Sequence, residues 1–119
     1  MKVLVIEPMT APYPTELDNS LESLQEAVGG LIQVIYPFDD AACIICNEEG
    51  KLTGLPLNRA IRNENGEISD VISGNMVITG LTEDDFCSLS ESQLDEYTRM
   101  FQHPETFIKI GREIIAIPV

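Results

Sequence analysis

Cys43-Ile44-Ile45-Cys46 has the C-x-x-C spacing that holds zinc or forms a redox pair when it sits in a tight turn or at a helix start. Ile44 and Ile45 favour a strand instead. Residues three apart on a strand point to opposite faces, so the two thiols are expected to diverge and to serve as apolar strand residues. His103 is the only histidine, so any histidine-based catalysis must use it. It stands just before Pro104 at the expected end of a helix, where a cation meets the helix dipole favourably, and a capping or surface role is the simpler expectation. Asp39-Asp40, Glu48-Glu49 and Glu83-Asp84-Asp85 could hold a hard cation such as Mg²⁺, although adjacent acids on a turn are usually just solvated. Asn63-Glu64-Asn65-Gly66 lacks the bidentate glutamate of a calcium loop, since the twelfth position is Gly74. No phosphate loop, nucleophile elbow, dinucleotide fingerprint or zinc-protease motif occurs, and the expectation is a protein that is not an enzyme and needs no metal or cofactor.

The arrangement of charge is more informative. The 119 residues carry 7 Lys/Arg against 20 Asp/Glu, a net charge of −13. Such a chain does not bind nucleic acid or an anionic membrane through its general field. No base occurs between Lys2 and Lys51, where nine acids fall, and Thr82–Glu96 holds six acids and no base. Asp18, Glu22 and Glu26 are spaced by four, a rise of ~6 Å per step along one helix face. Phosphates along one strand of a duplex recur every ~3.4 Å of axis, a spacing of the same order. A row of this kind can occupy a cationic groove meant for nucleic acid; alternatively it is a solvated face that keeps the protein soluble. With Asp84, Asp85, Glu91 and Asp95, these residues are the candidate partner-binding set. The partner they suit is a host protein with a basic nucleic-acid-binding surface.

One stretch inverts the pattern. Lys51–Asn63 carries Lys51, Arg59 and Arg62, together with Asn58, and no acid. Guanidinium forks suit phosphate or carboxylate, so this island is the alternative site, for a small anionic ligand such as a nucleotide. Internal salt bridging to the acid-rich remainder is the simpler expectation for it.

The elements that would position these groups follow from patterning. Length and 44% hydrophobic content indicate one domain over residues 1–119. Lys2–Ile6 reads as a strand buried on both faces, and Pro8, Pro12 and Pro14 as an extended connection. Asn19 or Ser20 caps a helix whose stripe is Leu17, Leu21, Leu24 and Val28, ended by Gly29-Gly30. Leu31–Tyr36 and Ala42–Asn47 read as strands, Leu52–Ile61 as irregular, Asn63–Gly66 as a hairpin signal, and Ile68–Ile72 as a short strand before Gly74-Asn75. Met76–Thr79 is a further short strand. A helical stretch is expected from Thr82, with a capping box at Ser90 and Gln93 and a stop at Pro104. A hairpin around Gly111-Arg112 closes the chain. The expected fold is α+β: a small, mostly antiparallel sheet with two main helices on one side and a C-terminal β-hairpin. No apolar run reaches the length of a membrane span, and the odd count of three cysteines suits a reducing cytoplasm. Met9, Tyr13 and Ile117 would serve a homodimer if exposed.

The run Met1–Pro8 and the segment Leu21–Gly30 (LESLQEAVGG) resemble domain-of-unknown-function family 3846. Cys46–Leu52, Gly54–Ala60 and Gly74–Gly80 are similar to its later blocks. The resemblance covers most of the chain. It implies an accessory protein of Gram-positive plasmids, conjugative elements and phages, and it carries over no catalytic residue. Gly54 and the Asn58-Arg59 pair match the family's polar block. By analogy with other small acidic proteins of mobile elements, the expected function is anti-defence. The protein would inhibit a CRISPR effector nuclease or restriction enzyme by nucleic-acid mimicry.

Overall fold

The computed structural model describes residues 1–119. Its centre is an antiparallel sheet in the order β2 (Tyr13–Glu16), β1 (Lys2–Ile6), β7 (Met76–Leu81), β4 (Ala42–Asn47), β3 (Ile32–Ile35), with β8 (Phe86–Cys87) pairing the end of β7. The inner strands β1, β7 and β4 are apolar at successive positions because both their faces are covered. Val3, Val5, Cys43, Ile45 and Val77 pack with Leu24 and Val28 of helix α1 (Leu21–Val28). Leu4, Ile6, Ile44, Cys46, Met76 and Ile78 pack with Tyr97 and Phe101, at the end of helix α2 (Glu91–Met100).

The α+β class, the antiparallel pairing and the terminal hairpin match expectation, but the helices do not share a side. Adjacent strand residues point to opposite faces, so these two clusters place α1 and α2 on opposite faces of the sheet. A sheet covered on one side would alternate apolar and polar residues, and β1 does not. Three local expectations are corrected too. Leu57–Arg62 is strand β5, paired with β6 (Ile68–Ser73) through two register irregularities, and it is not irregular coil. The stretch from Thr82 forms a turn and β8, and α2 begins only at Glu91. Leu21 is exposed, because the inward stripe of α1 is Leu24 and Val28 alone.

The caps follow the sequence. Ser20 Oγ accepts from the Ser23 amide at 3.2 Å, and Gly29 closes α1 in the left-handed conformation, φ 77°. At α2, Ser90 and Gln93 satisfy each other's backbone amides in the expected capping box. The β5–β6 turn is built by Asn63, whose Oδ1 accepts from the amides of Asn65 and Glu67. Ile61 and Ile72 of this hairpin join the α2-side core. Strands β9 (Glu105–Ile110) and β10 (Glu113–Pro118) form a separate two-stranded ladder that packs mainly against β5. No helix is long and apolar enough to cross a membrane.

Candidate functional site

Because Leu24 and Val28 fix which face of α1 points inward, Glu22 and Glu26 are left exposed, as is Asp18 just before the cap. The start of this helix is tied to the β7–β8 turn. Asn19 Nδ2 donates to Asp85 Oδ1 at 3.1 Å and to the Phe86 carbonyl at 3.2 Å. Thr82 shapes the turn: its amide donates to the Asp85 carbonyl, and its hydroxyl accepts from the Asp85 amide at 3.1 Å. Asp84 and Asp85 are thereby held beside Asp18 and the start of α1, and all five side chains belong to exposed residues. The ion pairs of the molecule are Met1 amine–Glu16, Lys51–Asp70 and Arg62–Glu105, so none of these carboxylates is neutralised by a cation. Glu91 and Asp95 are also exposed and unpaired, but they ride on α2, across the sheet. The seven predicted acids therefore divide into a ridge of five and a separate pair.

The basic island is divided between the interior and the surface. Asn58 and Arg59 are buried, at 0% and 1% exposure. Asn58 Nδ2 donates to the carbonyls of Ile6 and Gly74, and its Oδ1 accepts from Arg59 Nη1 at 2.9 Å. Arg59 Nε donates to the Phe101 carbonyl at the end of α2, and Nη2 to the Thr10 carbonyl at 2.6 Å. Burial pulls the Arg59 guanidinium down from its ordinary value, against an opposing influence of Glu105. Lys51 lies at the surface, bonded to Asp70 at 2.8 Å. Arg62 Nη2 meets Glu105 Oε2 at 2.8 Å, while Glu105 Oε1 accepts from the Ala60 amide. Asn58 and Arg59 are thus committed to the interior, whereas Lys51 and Arg62 sit at the surface, each with one carboxylate partner. Of the seven bases, Lys51 and Arg62 make ion pairs and Arg59 is buried on carbonyl and amide oxygens.

The C-x-x-C cysteines diverge as the strand geometry requires. Cys43 belongs to the α1-side core and Cys46 to the α2-side core. Both thiols are pushed up by burial, which suits inert core residues. His103 is exposed, beyond the end of α2.

One feature was not legible as a pocket in the sequence. A cleft of about 500 Å³ opens between the Pro37–Asp40 turn, the end of β5 and α2. Phe38 stacks on Tyr97 with ring centroids 4.5 Å apart, and the Tyr97 hydroxyl donates to Asp40 Oδ2 at 2.6 Å. That bond, with another from Gln93, holds the Asp40 carboxyl below its usual range. Desolvation together with the Asp40 bond pushes the Tyr97 phenol well up. Asp39, Asp40, Glu64 and Glu96 line the cleft beside the single Arg62, already paired, so its charge is wrong for an anionic ligand.

No curated protein and no solved structure matches this chain. A family model does, described as a domain of unknown function (DUF3846), over residues 1–102. The match ends after α2 and before β9, so the terminal hairpin lies outside it. Over those residues the chain belongs to the DUF3846 family.

Proposed function

We propose that the protein is a non-enzymatic accessory protein of a mobile genetic element that acts by binding another protein. Its acidic ridge fills the Lys/Arg-lined nucleic-acid groove of a host defence enzyme, such as a CRISPR effector nuclease or a restriction enzyme. The observation that carries this reading is the junction at Asn19. It sets Glu22 and Glu26 of α1, with Asp18 before the cap, against the turn acids Asp84 and Asp85, and no cation pairs with any of them. Like charges held together repel and cost stability, and a cationic partner recovers that cost on binding. Long-range attraction makes such association fast and sensitive to salt.

The split between the two faces supplies an internal control. The test is displacement of DNA from a panel of purified effector nucleases and restriction enzymes, at roughly 0.05 M and 0.5 M salt. D18N/E22Q/E26Q should abolish displacement, whereas E91Q/D95N on the opposite face should leave most of it. An enzyme inhibited equally by the α1 variant, or inhibited without regard to salt, would refute the ridge as the contact.

A further inference from the structure

We propose that Asn65, at the tip of the β5–β6 hairpin, is a self-modification site at which the folded chain deamidates without an enzyme. Asparagine is a chemically labile residue, most of all where its side-chain amide is free and the next residue is small. The chain holds six asparagines. Asn58 is fully buried, with its Nδ2 on the Ile6 and Gly74 carbonyls. Asn19 Nδ2 is held by Asp85 and the Phe86 carbonyl, and Asn75 Nδ2 by the Ala27 carbonyl. Asn47 is held at both ends, by the Val28 carbonyl and the Glu49 amide. Asn63 Oδ1 accepts from the amides of Asn65 and Glu67. Asn65 itself is exposed, and its one hydrogen bond runs from its backbone amide, which leaves its side chain free.

The following residue selects the same position. Asn65 precedes Gly66, whereas the other five precede Ser20, Glu48, Arg59, Glu64 and Met76. Without a Cβ, glycine leaves its backbone nitrogen open to approach. Nothing lies within 4 Å of the place where a Gly66 side chain would begin, so a ring has room to form. In the reaction Gly66 N bonds to Asn65 Cγ, the Cγ–Nδ2 bond breaks, and Nδ2 departs as ammonia with the proton that Gly66 N gives up. Water, the only co-reactant, then opens the cyclic imide. Opening at Cγ yields aspartate. Opening at the backbone carbonyl yields isoaspartate, with the main chain routed through Cβ and Cγ and longer by a methylene. No electrons are gained or lost.

The fold sets the pace. The Gly66 amide donates to the Asn63 carbonyl at 3.0 Å, and the Asn63 amide to the Glu67 carbonyl at 2.8 Å. The turn must open before Gly66 N can face Cγ, so the native chain reacts more slowly than the unfolded one. That opening is local, and exposed loop tips are where it costs least. Either product adds a carboxylate between Glu64 and Glu67, and the isoaspartyl form lengthens the turn that Asn63 closes. The inference does not depend on the acidic-ridge reading.

The test holds the full folded chain in mildly alkaline buffer at body temperature and follows intact mass, with fragmentation of the peptide that spans Asn63 and Asn65. The mass should rise by the difference between water and ammonia, and an isoaspartyl methyltransferase should label the product. A held amide must first release its bond, and a bulkier following residue hinders attack, so Asn65 should convert about tenfold or more faster than any other asparagine. G66A places a methyl group beside the nitrogen and should slow conversion about tenfold. Because alanine is strained at the φ of 79° found there, N65S is the second variant, and it should abolish the mass gain. A folded chain that keeps its mass while the urea-unfolded chain gains it overturns the proposal. So does a gain that appears first at another asparagine, or one that is undiminished in N65S or in folded G66A.

Discussion

Arg59 and Glu22 stand at opposite ends of what the fold does with charge. The guanidinium is 1% exposed and spends its donors on Phe101, Asn58 and Thr10, joining β5 to the end of α2 and to the segment after β1. Glu22 is exposed on the outer face of α1 and has no cationic partner. Both belong to runs of one sign in the sequence, and by residue type the arginine run is the alternative candidate for a ligand site. The difference comes from supply. Bases are few, and the central ones are drawn into the interior or into pairs with Asp70 and Glu105. Acids are in excess, so most have nothing within the molecule to meet. In this chain Arg59 serves the architecture, whereas Glu22 is left to solvent with no cation beside it.

The sharpest way to break that contrast is at Arg59. R59M keeps much of the side-chain volume but leaves the carbonyls of Phe101 and Thr10 and the Asn58 amide oxygen without their donor. Urea denaturation should show a loss of about 3–4 kcal/mol, the range for removing one member of a buried, charged network. R59K should also be costly, because an ammonium cannot span the three acceptors of the fork. A loss under about 1 kcal/mol would mean that Arg59 is not structural, and would return the basic island to consideration as a ligand site.

Asp40 lies between the two extremes, since it is an acid the fold does use. Its bond from Tyr97 is short, and Y97F should cost about 1 kcal/mol near neutral pH. The pH dependence has a definite sign at each end. The Asp40 carboxyl is depressed below its ordinary 3.8, so its contribution is present above that value and fades as pH falls through the lower, folded value. Tyr97 is raised above its ordinary 10.0, so its contribution is complete below that pH and is lost as pH rises through the folded value. Thermal melts across pH should show wild type and Y97F converging at both extremes. Ultraviolet titration should show the late-ionising phenol missing from the variant. A constant gap at all pH values would locate the effect in ring packing against Phe38 instead of in the bond.

What the sequence disclosed, and what it withheld, follows the range of the interactions involved. Helix caps, the Asn63 turn, the hairpin at Gly111 and most strands are set within a few residues, and Ser20, Ser90, Gln93 and Asn63 act as their types require. The double-sided burial of β1 was also readable. It carried a consequence that the one-sided arrangement ignored, because a strand apolar on both faces needs cover on both. The fate of Arg59 was not readable, since the carbonyls it serves lie 42 and 49 positions away in the chain. Its strand β5 was obscured by Gly54 and Pro56 just before it and by register irregularities within it. Of the candidate acids, helical spacing links Glu22 and Glu26 only, because α1 begins at Leu21 and leaves Asp18 before its cap, off the helical row that the spacing predicted. Only the Asn19 contact joined them to Asp84 and Asp85, and only the topology removed Glu91 and Asp95 to the other face.

The smallest expected effect sharpens the comparison most, because it asks whether the ridge does anything for the fold. In D18N/E22Q/E26Q, one like-charge helical contact at i, i+4, Glu22 with Glu26, is relieved, worth about 0.2–0.5 kcal/mol, while Asp18 lies outside the helix. Against this, neutralising Glu22 in the first turn forfeits a favourable dipole interaction of similar size. The net change in stability should fall within about 0.5 kcal/mol of zero, and what remains should shrink as salt is added. Urea denaturation at two salt concentrations measures it. A loss above about 1 kcal/mol would assign these carboxylates a structural job, like that of Arg59, and erase the distinction between the two regions. A null result, set beside a lost ability to displace DNA, would separate binding from folding at the same three residues.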